Sequence, residues 1–119
     1  MRYTLAARSK LVKQIAQKAI DAHLYIDGWS LIDILNDAII CPGNFRLAAA
    51  FTDEGEMVGI ACMEFDTYVS TFVLPKYRRQ GVATEMFKLL KVNRYCECCL
   101  GEPQSKFLFE KFDLLIHDA

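Results

Sequence analysis

Apolar and polar positions divide this chain into short elements of two periods. From Lys10 to Leu24 the apolar residues Leu11, Val12, Ile15, Ala16, Ala19 and Ile20 recur at helical spacing. Lys10, Lys13, Gln14, Gln17, Lys18 and Asp21 take the other side, so the segment predicts an amphipathic helix laid on a core, with Ser9 as its N-cap. The pattern loosens over Tyr25-Ile26-Asp27-Gly28-Trp29, where Gly28 permits a turn. Ser30 then caps a second helix, Leu31 to Ile40, which Pro42-Gly43 closes. Arg2 to Ala7 alternates weakly, as a first strand would.

Phe45 to Thr52 and Met57 to Phe65 read as strands joined by the polar turn Asp53-Glu54-Gly55-Glu56. A tight connection at Asp66-Thr67 leads into Tyr68 to Leu74, a run of β-branched and aromatic residues that Pro75 ends. Val82, Met86, Leu89 and Leu90 mark one face of a helix from Val82 to Lys91. A strand from Tyr95 to Leu100, a short helix near Pro103 to Phe112 and an apolar run from Leu114 to His117 complete the pattern. Sequential strands with short links pair antiparallel, whereas the helix at Val82 is long enough for a crossover. The order β-α-α-β-β-β-α-β-α-β predicts an α+β fold with a mixed, mostly antiparallel sheet flanked by helices.

Composition narrows the function classes. With 119 residues, 53% of them hydrophobic, residues 1–119 read as one domain with a substantial core. The net charge of −1 and dispersed basic residues argue against general nucleic-acid binding. No apolar run approaches the ~20 residues that span a bilayer. The N-terminal MRYTLAARSK has no apolar signal core, and five cysteines without a disulfide framework suit a reducing cytoplasm. Cys96, Cys98 and Cys99 lack the paired spacing of a zinc site and read as small apolar fillers.

Polar chemistry concentrates in Arg78-Arg79-Gln80-Gly81, between the third strand of the meander and the Val82 helix. On its own such a turn is an ordinary helix start. It is also what an anion site requires, because first-turn amides lack internal partners, the helix dipole adds positive charge, and arginines strengthen it. The wider string Val73-Leu74-Pro75-Lys76-Tyr77-Arg78-Arg79-Gln80-Gly81-Val82-Ala83-Thr84 resembles the acetyl-coenzyme A motif of the GNAT superfamily of N-acetyltransferases. That motif has a strand ending in Val-x-Pro, an aromatic, then Gln/Arg-x-x-Gly-x-Gly/Ala opening a helix. Arg78, Gly81 and Ala83 occupy its three signature positions, and the order of elements matches the family across nearly the whole chain.

The resemblance implies acetyl-coenzyme A as cofactor and an amine as acceptor, whether a protein lysine, an N-terminus or a small amine. The backbone of Thr71-Phe72-Val73 would hold the pantetheine arm and polarise the thioester, and the amides of Arg79, Gln80, Gly81, Val82, Ala83 and Thr84 would hold the pyrophosphate. His23, Tyr25, Asp27 and Trp29 would lie over the acceptor. Glu97 and Glu64 are candidate general bases, being carboxylates on or beside the central strands. The family's last helix often carries Asn-x-x-Ala-x-x-x-Tyr-x-Lys-x-Gly-Phe, whose tyrosine protonates the leaving thiolate. Here Glu102 stands for the Asn, Phe109 for the Tyr and Asp113 for the Gly, with Ser105 and Tyr95 as alternative donors. These departures feed a second reading, a non-catalytic acyl-coenzyme A binding or partner-binding module. The family's usual last strand is missing, as in a compact bacterial or phage member. The edge so exposed would suit a homodimer in the bacterial or host cytoplasm.

Overall fold

Among the described residues six strands form one sheet in chain order: β1 (Arg2–Ala6), β2 (Phe45–Phe51), β3 (Met57–Glu64), β4 (Tyr68–Val73), β5 (Glu97–Cys99) and β6 (Leu115–His117). The computed structural model describes residues 1–25, 31–99, 111–112 and 115–117. β1 to β4 pair antiparallel, and β4 with β5 and β5 with β6 pair parallel. Among the described residues three helices flank them: α1 (Ser9–Asp21), α2 (Leu31–Ile40) and α3 (Val82–Leu90). This is the mixed, mostly antiparallel α+β architecture that the patterning predicts.

β2 and β3 are buried on both faces, which explains why they read as continuous apolar runs. Leu47, Ala49, Ile60 and Cys62 meet Val12, Ile15, Ala16 and Ala19 of α1 and Leu31, Leu35 and Ala38 of α2. Ala48, Ala50, Ala61 and Met63 face Val82, Met86, Phe87 and Leu90 of α3. Gly59 allows α3 to lie close, because a Cβ there would stand 3.1 Å from Met86 Cε. The Phe87 ring also meets Phe112 at 5.3 Å, beside the helical Lys111 at the end of the predicted fourth helix. The rest of that helix lies outside the described residues.

Several boundaries differ from the sequence reading. The N-cap of α1 is Arg8, in extended conformation, and Ser9 is already helical with no capping side-chain bond. The helix stops at Asp21, short of Leu24, because His23 turns left-handed at φ 58°. His23 N–H then donates to Ile20 at 3.0 Å and Leu24 N–H to Ala19 at 2.9 Å, a Schellman closure sealed by buried Leu24. Lys91 closes α3 in the same way, with buried Val92 donating to Phe87 at 3.1 Å. The third connection is Phe65–Thr67, with positive φ at Phe65 and Asp66 and Thr67 N–H on the Glu64 carbonyl at 3.0 Å. β5 begins at Glu97, two residues later than predicted, and leaves Tyr95 outside, 71% exposed. Among the described residues no helix is long and apolar enough to cross a membrane.

Candidate functional site: the open edge of β4

β4 pairs with β3 along its whole length, from Glu64↔Tyr68 to Gly59↔Val73. With β5 it pairs only at Tyr68↔Glu97 and Val69↔Cys98. Among the described residues the parallel ladder ends at that pair, and no described residue of β5 pairs with β4 from Ser70 to Val73. Peptide groups alternate between the two edges of a strand. Leu74 N–H donates to Val58 of β3 at 2.9 Å and Thr67 C=O accepts from Glu97 at 2.7 Å, so even-numbered groups face β3 and odd-numbered ones face β5. The peptide groups of Thr71 and Val73 therefore line the parted edge. Those of Phe72 turn into the sheet, so of the expected trio only the outer two present main-chain atoms there. The Thr71 hydroxyl is engaged, donating to the Ile60 carbonyl at 3.0 Å.

The parted edge leads to the start of α3. Pro75–Tyr77 form one tight turn, and Tyr77 N–H closes on Leu74 at 2.8 Å. Arg79 and Gly81 both adopt positive φ, 63° and 81°, which lets neighbouring amides converge. Glu85 N–H is the first to find a helical partner, the Gly81 carbonyl at 3.0 Å, so Val82, Ala83 and Thr84 have none within the helix. Gln80 Nε2 ties the loop down by donating to the Lys76 carbonyl at 3.1 Å. A Cβ on Gly81 would meet nothing within 4 Å. Lys76, Arg78 and Arg79 make the rim positive.

The two arginines differ. Arg79 is exposed, whereas Arg78 folds back so that Nε donates to the Val73 carbonyl at 2.8 Å. Its guanidinium lies 5.3 Å from the Phe72 ring centroid. Sequence reasoning treats Arg78 as local positive charge and misses this contact, for which the sequence offers no signal.

The candidate bases fall on one row. Glu64 pairs with Tyr68, and Tyr68 with Glu97, so all three side chains share a face of the sheet. Two strand spacings, about 10 Å, separate the carboxylates, so one small amine cannot touch both. Glu97 is half-buried and opens the short β4–β5 ladder, one residue before its last pair, whereas Glu64 is one strand removed. Half-exposed Tyr68 lies between them, a placement that emerges only from register. Tyr25 is half-buried against the sheet face that holds Phe72 and Leu74. Asp27, Trp29, Glu102, Ser105, Phe109 and Asp113 lie outside the described residues.

Among the described residues Cys62 and Cys96 are buried and Cys41 is exposed. Burial, and secondarily the Glu64 charge, push the Cys62 thiol up to about 12. Cys96 is buried, its Sγ 3.9 Å from the Asp66 carbonyl. Among the described residues no group of three or more His, Cys, Asp or Glu is placed to hold a metal ion.

No family model matches the chain, and no curated protein matches it by sequence. Solved structures do. The xEco2 acetyltransferase domain bound to a CoA conjugate superposes with TM-score 0.64 at 11% identity, over 98% of this chain and 92% of that one. AAC(6')-Iy, in complex with a bisubstrate analogue of CoA and acetylneamine, gives TM-score 0.59 at 14% identity, over 100% and 95%. Glucosamine-6-phosphate N-acetyltransferase from Arabidopsis thaliana gives 0.57 at 10%, over 100% and 95%. These likenesses run the length of the chain, and what they share with it is the arrangement of elements: the chain has the fold of the GNAT N-acetyltransferases.

Proposed function

We propose that the chain binds acetyl-coenzyme A along the parted edge of β4 and transfers the acetyl group to an amine. The observation that carries the reading is the continuity of two main-chain surfaces. An open strand edge suits a ligand arm containing amides, and it ends at a helix N-terminus whose converging amides and basic rim suit a pyrophosphate. From Val73 back to Val69 the edge spans about 13 Å, which carries an arm toward the crotch beside Glu97.

The chemistry there is direct acyl transfer. The amine nitrogen attacks the thioester carbonyl, a C–N bond forms, the C–S bond breaks, and the amine proton must leave as the thiolate departs. A primary amine with an ordinary pKa near ~10.4 is mostly protonated near pH 7, so a base accelerates the step. Glu97 is the better-placed carboxylate, acting directly or through water. Main-chain N–H groups at the parting of β4 and β5 would polarise the carbonyl, and holding both reactants together supplies much of the rate. Phe109 has no proton to give the thiolate, so protonation falls to another group or to water. That feature favours the binding-module reading as the second possibility. Calorimetric titration with acetyl-coenzyme A, followed by thiol release over a panel of amines, separates the two. Binding with amine-dependent release establishes the enzyme, binding alone the module, and no binding removes both.

A further inference from the structure

We infer that Arg78 sets the register of the acyl carrier's arm along β4, by occupying the main-chain acceptor at the outer end of the open edge. The inference rests on the proposed binding of acetyl-coenzyme A to that edge. Val73 is the last residue of β4, and its carbonyl faces the side that β5 has left. Arg78 Nε donates to that carbonyl at 2.8 Å, and the guanidinium stacks over Phe72 on the same strand. The arginine is thus fixed by a hydrogen bond and an aromatic face. With one lone pair of the Val73 carbonyl taken and the guanidinium standing beside it, an arm amide finds the Thr71 carbonyl the more accessible acceptor. Without the arginine, both carbonyls would be open and the arm could bond in either of two registers.

Those registers differ by two residues, about 6.6 Å along the strand. In the inner one the thioester reaches the crotch beside Val69 and Glu97. In the outer one it stops short, and the acetyl group lies away from any base on β5. A shift of that size abolishes reactive alignment, for which errors of ~1 Å already matter. Arg78 is therefore a positioning residue. It touches no reacting atom, and its effect appears in where the acetyl group sits.

Two substitutions separate its hydrogen bond from its charge. Arg78→Lys keeps the cation but places a methylene where Nε was. Arg78→Gln loses the cation but keeps a nitrogen donor at the equivalent position of the side chain. With isotope-labelled acetyl-coenzyme A, nuclear Overhauser contacts of the acetyl methyl are expected at Val69 and Ser70 in the parent and in Arg78→Gln. In Arg78→Lys they are expected to split or move outward to Thr71 and Val73. The accompanying kcat, for whichever amine the panel identifies, falls at least tenfold in the lysine variant and recovers in the glutamine variant, while KM for acetyl-coenzyme A rises in the glutamine variant alone. Contacts in Arg78→Lys identical to the parent's, in a protein that binds acetyl-coenzyme A, overturn the inference and leave the proposed function standing. Absence of saturable binding to the parent protein overturns both.

Discussion

Gly81 offers the sharpest test of the anion site, because backbone and charge can be separated there. Its φ of 81° lies in the left-handed region, and a Cβ would meet nothing within 4 Å. Gly81→Ala therefore introduces no clash and costs only the conformational penalty, about 1–2 kcal/mol of stability. For a chain of this length each kcal/mol lowers Tm by about 4 °C. Gly81→Asp carries the same penalty and adds a carboxylate. Aspartate ordinarily gains a bond as an N-cap, but that bond belongs to an extended residue and is not made from the left-handed conformation. At about 6 Å from one phosphate charge, with an effective dielectric near 20, the carboxylate repels by about 2.8 kcal/mol, or about 100-fold in Kd. The assay is calorimetric titration with acetyl-coenzyme A at low salt, with Tm measured on the same samples. The alanine and aspartate variants should melt within a few degrees of each other, yet bind about two orders of magnitude apart, and the gap should narrow as salt is raised. Equal Kd values for the two would refute an anion site at this turn and leave Gly81 as a structural glycine.

Three further outcomes follow from the geometry. Glu97→Gln should lower kcat by about 100-fold or more with acetyl-coenzyme A affinity unchanged, whereas Glu64→Gln should change kcat by less than about threefold; equal losses in both parameters for Glu97→Gln sink its role as base. The Cys62 thiol, raised to about 12 from 9.0, stays protonated in the fold while the unfolded chain ionises, so stability should fall as pH rises above 9. The loss from this group should be on the order of 1 kcal/mol by pH 10, and Cys62→Ala should flatten that part of the denaturation profile. Phe87→Ala, at a fully buried ring packed on Phe112, should cost about 3–5 kcal/mol in chemical denaturation, and a loss under about 1 kcal/mol would contradict the assigned packing of α3.

Local periodicity carried the elements well where one rule acted alone. α2 runs Leu31–Ile40 and α3 begins at Val82, as their apolar spacing predicts. The misplaced C-terminal ends of α1 and α3 are those where a non-glycine residue turns left-handed. Nothing in His23 or Lys91 announces a Schellman closure, and the reward comes from burying Leu24 and Val92, which is tertiary information. The site divides in the same way. The turn at Arg78 to Thr84 was legible because helix-start chemistry is local. The row Glu64–Tyr68–Glu97 and the parting of β4 from β5 depend on register between strands far apart in sequence, which no single segment encodes.

A site assembled from peptide groups places unusual demands on sequence. Most residues of β4 can change without altering the N–H and C=O groups at its edge, provided their apolar faces still fit the two cores. The demands fall on the few residues that aim or occupy those groups. Gly81 gives the turn its positive φ, Gln80 pins the loop to Lys76, and Arg78 closes the outermost carbonyl. On this account Val73→Ala, which trims a side chain on the α3 face, should cost stability while leaving the arm's register intact. Arg78→Lys should do the reverse. On the proposed reading, register is a property of which backbone acceptors remain available, and one side chain decides that for the last of them.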